Sequence, residues 1–182
     1  MERKTVLYIA MSLDGYIADA KGGVAWLGGH ETEYGGDYGY GEFIQEVDTV
    51  LMGWNTYHQV VTELSPDEWA YPGLECYVFT HRQIKNTKDV QFLSGDVSQW
   101  VRRFKAQPGK KIWVCGGAHL IHQLMEEDLI DEYRLTIMPI LLGEGTPLFS
   151  QGRSCFPLAL QDSKEENGVV EVCYTRRKAE RR

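Results

Sequence analysis

The stretch KIWVCGGAHLIHQLMEEDLIDEYRLTIMPILLGEG, residues 111–145, decides how the chain is read. It opens on an apolar run, KIWVC (111–115), that reads as a buried strand. The chain turns through Gly116-Gly117 straight into a helical pattern whose stripe is Leu120, Ile121, Leu124 and Met125. EYRLTIM (132–138) then alternates, with Tyr133, Leu135 and Ile137 on one side, as a further strand. A glycine pair loses more backbone freedom on folding than alanines would. One reason to keep it is that something comes very close to the backbone. Helix N-termini present unpaired N–H groups and partial positive charge, so a phosphate fits there, and a tight turn without ligand is the other reading.

Working outward, TVLYIAM (5–11), DTVLMG (48–53), CYVFT (76–80) and, more weakly, VQFL (90–93) read as strands. Between VQFL and KIWVC, the residues Val97, Trp100, Val101 and Phe104 fall on one helix face that Pro108-Gly109 ends. The C-terminal segment reads as a hairpin turning at Asn167-Gly168. Strand–helix–strand repetition with a terminal hairpin implies an α/β fold in three layers, with a mainly parallel central sheet, an antiparallel edge and helices on both faces. One domain is expected over 1–176, followed by a basic tail, 177–182.

The chain has 182 residues and a formal net charge of −7, which argues against a nucleic-acid binder. Arg176, Arg177, Lys178, Arg181 and Arg182 form the only basic cluster and read as a solubilising tail. No apolar run approaches the ~18 residues of a membrane span, so no membrane partner and a cytoplasmic location are expected. Cys76, Cys115, Cys155 and Cys173 lack metal-site spacing and read as buried reduced thiols. His119 and His122, three apart on a helix, lack a third ligand and read as surface histidines.

Two more strand ends carry similar chemistry. Gly53 is followed by Asn55-Thr56 opening a short helix, and CYVFT ends in Thr80, His81 and Arg82, groups suited to a phosphate or ribose. Taken together, MSLDGYIA, LMGWNTY, VCGGAHL and LTIMPILLGEGTPLF resemble, in order and spacing, the dihydrofolate-reductase-like superfamily. Within it the chain is similar to stand-alone relatives of the reductase domain of bacterial riboflavin biosynthesis, from Val6 to Phe149.

The resemblance implies NADPH as hydride donor to a small heterocyclic substrate of pterin, folate or pyrimidine type, in a homodimer. By position, Ala10 and Ile17 would flank the nicotinamide, within a mobile covering loop, 12–26. Gly53, Asn55 and Thr56 would meet the pyrophosphate and ribose, and Thr80, His81 and Arg82 the 2′-phosphate. Gly116, Gly117 and Ala118 would line the pyrophosphate, with the glycine pair joined by a cis peptide. Leu141, Leu142 and Gly143 match a closing loop near the nicotinamide.

Two positions depart from the pattern. Trp54 replaces an arginine that reads the 2′-phosphate, leaving Arg82 for that task and NADH as the lesser alternative; Trp54 then stacks on adenine or packs at a strand end. Tyr16 replaces a lysine associated with the phosphorylated pyrimidine substrate of the riboflavin reductases. Hydride transfer also calls for a proton, and counting back from Met52-Gly53 reaches Asp37, read either as the acid or as a helix cap, with Glu42 as competitor. Asp14 forms a turn or touches ligand, and Tyr34, Tyr38 and Tyr40 line a heterocycle or belong to a surface loop. Trp26, Trp54 and Trp113 lie in or near the proposed site. A nucleotide-binding sensor or scaffold without turnover is the competing function.

Overall fold

Why β1, Thr5–Ser12, is apolar along its length follows from its place in the sheet. It lies between two parallel neighbours, β6 (Lys111–Gly116) and β7 (Glu132–Met138), so both its edges are used, and Thr5, Val6 and Leu7 are buried on both faces. The computed structural model describes residues 2–149 and 155–177, and shows one eight-stranded sheet with order β5-β4-β3-β6-β1-β7-β10-β9. Its other parallel members are β3 (Val47–Gly53), β4 (Glu75–Phe79) and β5 (Val90–Leu93). β10 (Val169–Arg176) runs antiparallel to β7 and pairs antiparallel with β9 (Leu158–Glu166) at the edge. Asn167 and Gly168 both have positive φ, 54° and 77°, as a two-residue hairpin turn of the expected kind requires.

Helices cover both faces. On one, Val97, Val101 and Phe104 of α3 (Val97–Lys105) and Leu120, Ile121 and Leu124 of α4 (Ala118–Glu126) pack on Leu7, Leu51, Ile112 and Val114. Asp96 caps α3 by accepting from Ser98 N, and three basic residues fill its last turn. On the other face, Phe43 of α1 (Tyr40–Glu46) packs on Val6, Val50, Met52, Val78 and Trp113. Trp54 and Tyr57 of α2 (Trp54–Gln59) extend this second core, and α2 runs on as a π-helical turn, Val60–Leu64. The three-layer, mainly parallel arrangement with its antiparallel C-terminal hairpin is therefore the one the sequence implies.

Periodicity did not show a small second sheet. β2 (Tyr16–Ala18) pairs antiparallel with β8 (Thr146–Pro147), joining the loop after β1 to the loop after β7. Both strands are too short for an alternation to be counted.

Several expectations are corrected. No peptide bond among the described residues is cis, so Gly116-Gly117 turns instead through the positive φ of Gly117, 97°. His122 is half-buried and donates to the Leu148 carbonyl at 2.8 Å, so of the pair on α4 His119 alone is exposed. Cys155 is exposed, and Cys115 and Cys173 are half-buried, leaving Cys76 as the one fully buried thiol. Trp113 is buried in the second core with its indole N–H on the Tyr8 carbonyl, 3.0 Å. Arg176 belongs to β10 and pairs with Asp128 at 2.6 Å, while residues 178–182 of the expected tail lie outside the described residues.

Candidate active site

The C-terminal ends of β3, β4 and β6 open into one cleft of about 1250 Å³. That is the position at which open α/β sheets bind ligands, and its size exceeds the ~300–1,000 Å³ of drug-sized pockets. Gly53, Trp54, Asn55 and Thr56 line it from the end of β3, Thr80, His81 and Arg82 from the end of β4, and Gly117 and Ala118 from the end of β6. Ile17 joins them from β2. The structure thus brings together every residue that the sequence reading gave to the cofactor except Ala10, in mid-sheet on β1, and Gly116, which is buried.

The glycines have a close neighbour within the chain itself. A Cβ on Gly117 would stand 3.2 Å from the Cα and N of Gly53, and one on Gly116 would stand 3.0 Å from the Thr56 hydroxyl. The ends of β3 and β6 therefore meet backbone to backbone, which side chains would wedge apart. The same contact leaves the start of α4 open: Gly117 supplies no side-chain cap, and Ala118, His119 and Leu120 face the cleft.

At the other end of the cleft, the Arg82 guanidinium lies over the Trp54 indole, 4.9 Å from the ring centre. The Thr80 hydroxyl accepts from Arg82 N at 3.1 Å and so shapes the loop that carries the arginine. Among the described residues lining the cleft, Arg82 is the only lysine or arginine and Glu63 the only carboxylate, and His58, His81 and His119 also line it. His58, Gln59, Glu63, Ser94, Gly95 and Gln123 are liners that sequence reasoning missed. Ser94-Gly95 ends β5 and could have been found by the same strand-end argument; the others depend on the direction of α2 and α4.

The loop after β1 forms one wall through Ala18, Gly22 and Val24 as well as Ile17. It is fastened twice, by β8 and by the Gln59 side-chain amide donating to the Gly22 carbonyl at 3.0 Å. Asp19 folds its tip by accepting from Lys21 N and Gly23 N, each 2.8 Å.

The four residues assigned to catalysis or substrate lie outside this cleft. The Asp37 carboxylate accepts from Gly39 N (2.9 Å) and Gly41 N (2.8 Å), exposed, at the start of α1. Tyr38 takes a positive φ of 54°, and its hydroxyl accepts from the Asn167 amide at 3.0 Å. Asp14 accepts from the Ser12 hydroxyl at 2.6 Å and from Leu142 N and Gly143 N, tying the turn after β1 to the loop after β7. The Ser12 hydrogen bond, with the two amides, holds its carboxyl below the ordinary carboxylate value. Tyr16 donates to the Gly143 carbonyl at 3.3 Å in the same junction, which is where Leu141, Leu142 and Gly143 act.

Tyr34 donates to Glu166 at 2.5 Å, and that bond pushes its phenol up to about 12. Tyr40 is half-buried in the second core, so the three tyrosines do not form one wall. Against the second core, Tyr71 and Cys115 face each other at 3.4 Å, and burial pushes the Cys115 thiol up to about 11.

Comparison with known proteins agrees with this architecture. The Bacillus subtilis (strain 168) protein YwjB is 41% identical over 179 residues, covering 97% of this chain and 99% of its own. A crystal structure of a Shewanella sp. PV-4 protein named for riboflavin biosynthesis superposes with a TM-score of 0.84 at 29% identity, covering 98% of this chain and 100% of that one. A diaminohydroxyphosphoribosylaminopyrimidine deaminase/5-amino-6-(5-phosphoribosylamino)uracil reductase from Thermotoga maritima has the same fold, with a TM-score of 0.71 at 15% identity, over 96% of this chain and 57% of that one. The model of the RibD C-terminal domain family matches residues 3–174, and the chain belongs to that family.

Proposed function

We propose that the protein is an NADPH-dependent reductase that passes a hydride to a small planar heterocycle of pterin, folate or pyrimidine type. The observation that carries this reading is the single cleft joining three strand ends, with an uncapped helix start at one end and a guanidinium on an indole at the other. A dinucleotide phosphate is long and anionic, and these residues fit it. The α4 amides and Gly117 would hold the pyrophosphate, Asn55 and Thr56 a ribose, Trp54 the adenine face and Arg82 the 2′-phosphate. When bound, NADPH supplies the hydride; this chain's residues orient it and exclude water. The β2 wall, fastened to α2, supports the exclusion, and Ile17 and Ala10 border the reacting end. The following proton comes from water, since the Asp37 carboxylate does not line the cleft and lies on the amides at the start of α1.

The same engagement of Asp37 favours the second reading, a nucleotide-binding sensor without turnover. Among the described residues no helix is long and apolar enough to cross a membrane. A homodimer in the cytoplasm remains part of the proposal.

Titration of the purified chain with NADPH and with NADH, followed by tryptophan fluorescence, tests the cofactor. Arg82→Met is expected to weaken NADPH about tenfold or more, as befits a lost charge-assisted contact, and to leave NADH within about twofold. Absence of binding by the wild type sinks the reductase reading, and equal losses for both cofactors sink the role of Arg82.

A further inference from the structure

On the α1 side of the sheet, β1 is central, yet Tyr8 and Ala10 are only half-buried, so the sheet there is not roofed. Ala10, Thr136, Glu171 and Lys164 stand opposite one another in register across β1, β7, β10 and β9. Residues in such register project from the same face, so these four side chains form one row beneath the opening. The Tyr8 ring stacks on Phe43 at 4.0 Å and its phenol feels both the Thr136 hydroxyl and the Glu171 charge. Lys164 closes the far end: its ammonium is 3.5 Å from Glu171 and lies against Gly39, at the start of α1.

Glu171 is the unusual member. Its side chain is only 14% exposed, and the Lys164 contact at 3.5 Å is its sole polar partner among the described residues. An ionised carboxylate can accept about four hydrogen bonds, and a single Lys164 contact at 3.5 Å takes up at most one of them. Most of its capacity is therefore available to something seated over Ala10. A carboxylate beside an ammonium complements a flat ring with two parallel N–H donors on one edge and a carbonyl next to them.

We infer that Glu171 and Lys164 are the specificity-determining pair of the substrate site, taking the amino-bearing N–H edge and the adjacent carbonyl of a planar 2-amino-4-oxo ring that lies over Ala10. This rests on the reductase reading for its hydride chemistry, but ring recognition is measurable without it. Pterin and lumazine differ in carrying an amino group or a carbonyl on the same ring carbon, and serve as probes for the full chain, with and without NADPH.

The expected result is that the wild type prefers pterin by about tenfold or more, and that Glu171→Gln abolishes this preference by weakening pterin alone. NADPH affinity stays unchanged, and Lys164→Met weakens both rings while keeping the preference. Equal wild-type affinities, no binding of either ring, or unchanged pterin affinity in Glu171→Gln would each overturn the inference. Unchanged affinity would reduce the pair to a cross-strand contact. A matching fall in NADPH affinity would also overturn it, showing that Glu171 only holds the sheet. A pterin preference without any NADPH binding would support this site and remove the cofactor reading instead.

Discussion

Gly117→Ala tests whether the glycine pair is required by the fold before any ligand is added. Gly117 sits at φ 97° and ψ 99°, outside the regions that L residues adopt readily. Placing alanine there costs about 1–3 kcal/mol of backbone strain. The new methyl also meets Gly53 Cα and N at 3.2 Å, a contact with backbone at both ends that no side-chain rotation relieves. The expected total is at least about 2 kcal/mol, or a fall in Tm of roughly 4–8 °C for a chain of this length. Gly53→Ala is the control, because its φ is −81° and its Cβ would find Gly117 Cα at an ordinary 3.6 Å. Its expected cost is below about 1 kcal/mol. Urea unfolding of the three proteins without ligand reads the difference. If Gly117→Ala unfolds at the wild-type midpoint, the glycine is there for a ligand and the packing argument is wrong.

Two further outcomes follow from the same geometry. Asp37→Asn, which loses a charged acceptor at the start of α1, is expected to cost about 0.5–1 kcal/mol while leaving cofactor binding and any reduction rate within about twofold. A hundredfold rate loss at unchanged NADPH affinity would instead establish it as the acid. Asp14 is held below its ordinary value, so it stabilises the fold above the unfolded carboxylate pKa of about 3.9, and the contribution disappears as pH falls through the lower folded value. Wild type and Asp14→Asn are therefore expected to differ in urea midpoint at neutral pH and to converge in acid; a constant gap between them refutes the loop tie.

The cofactor half of the candidate site was legible because it is made of strand ends. Gly53, Thr80 and Gly117 each follow an apolar run directly, so finding the strands finds the cleft. Asp37 was reached by counting through a glycine-rich loop, where spacing carries no geometric constraint, and its carboxylate is engaged with the backbone of that loop. Asp14 illustrates a second limit: its partners, Leu142 and Gly143, lie far along the chain, and only tertiary structure unites them. Glu171 was invisible for a similar reason. In EVCYT it looks like the exposed member of an alternating strand, and only the folded sheet brings it beside Lys164 and near Tyr8. The glycine pair was read correctly as a place of close approach, but the approaching atoms belong to Gly53 and Thr56 of the same chain.

The central position of β1 also bears on how the chain is made. Its partners begin at Lys111 and Glu132, so ribosomal synthesis must deliver most of the protein before the first strand can be enclosed. At translation rates of about 5–20 residues per second, TVLYIAM spends roughly 5–21 s with neither neighbour available. A nascent-chain holdase that recognises short apolar segments would find its first target at the N-terminus, and a truncation before residue 111 would leave that target permanently exposed.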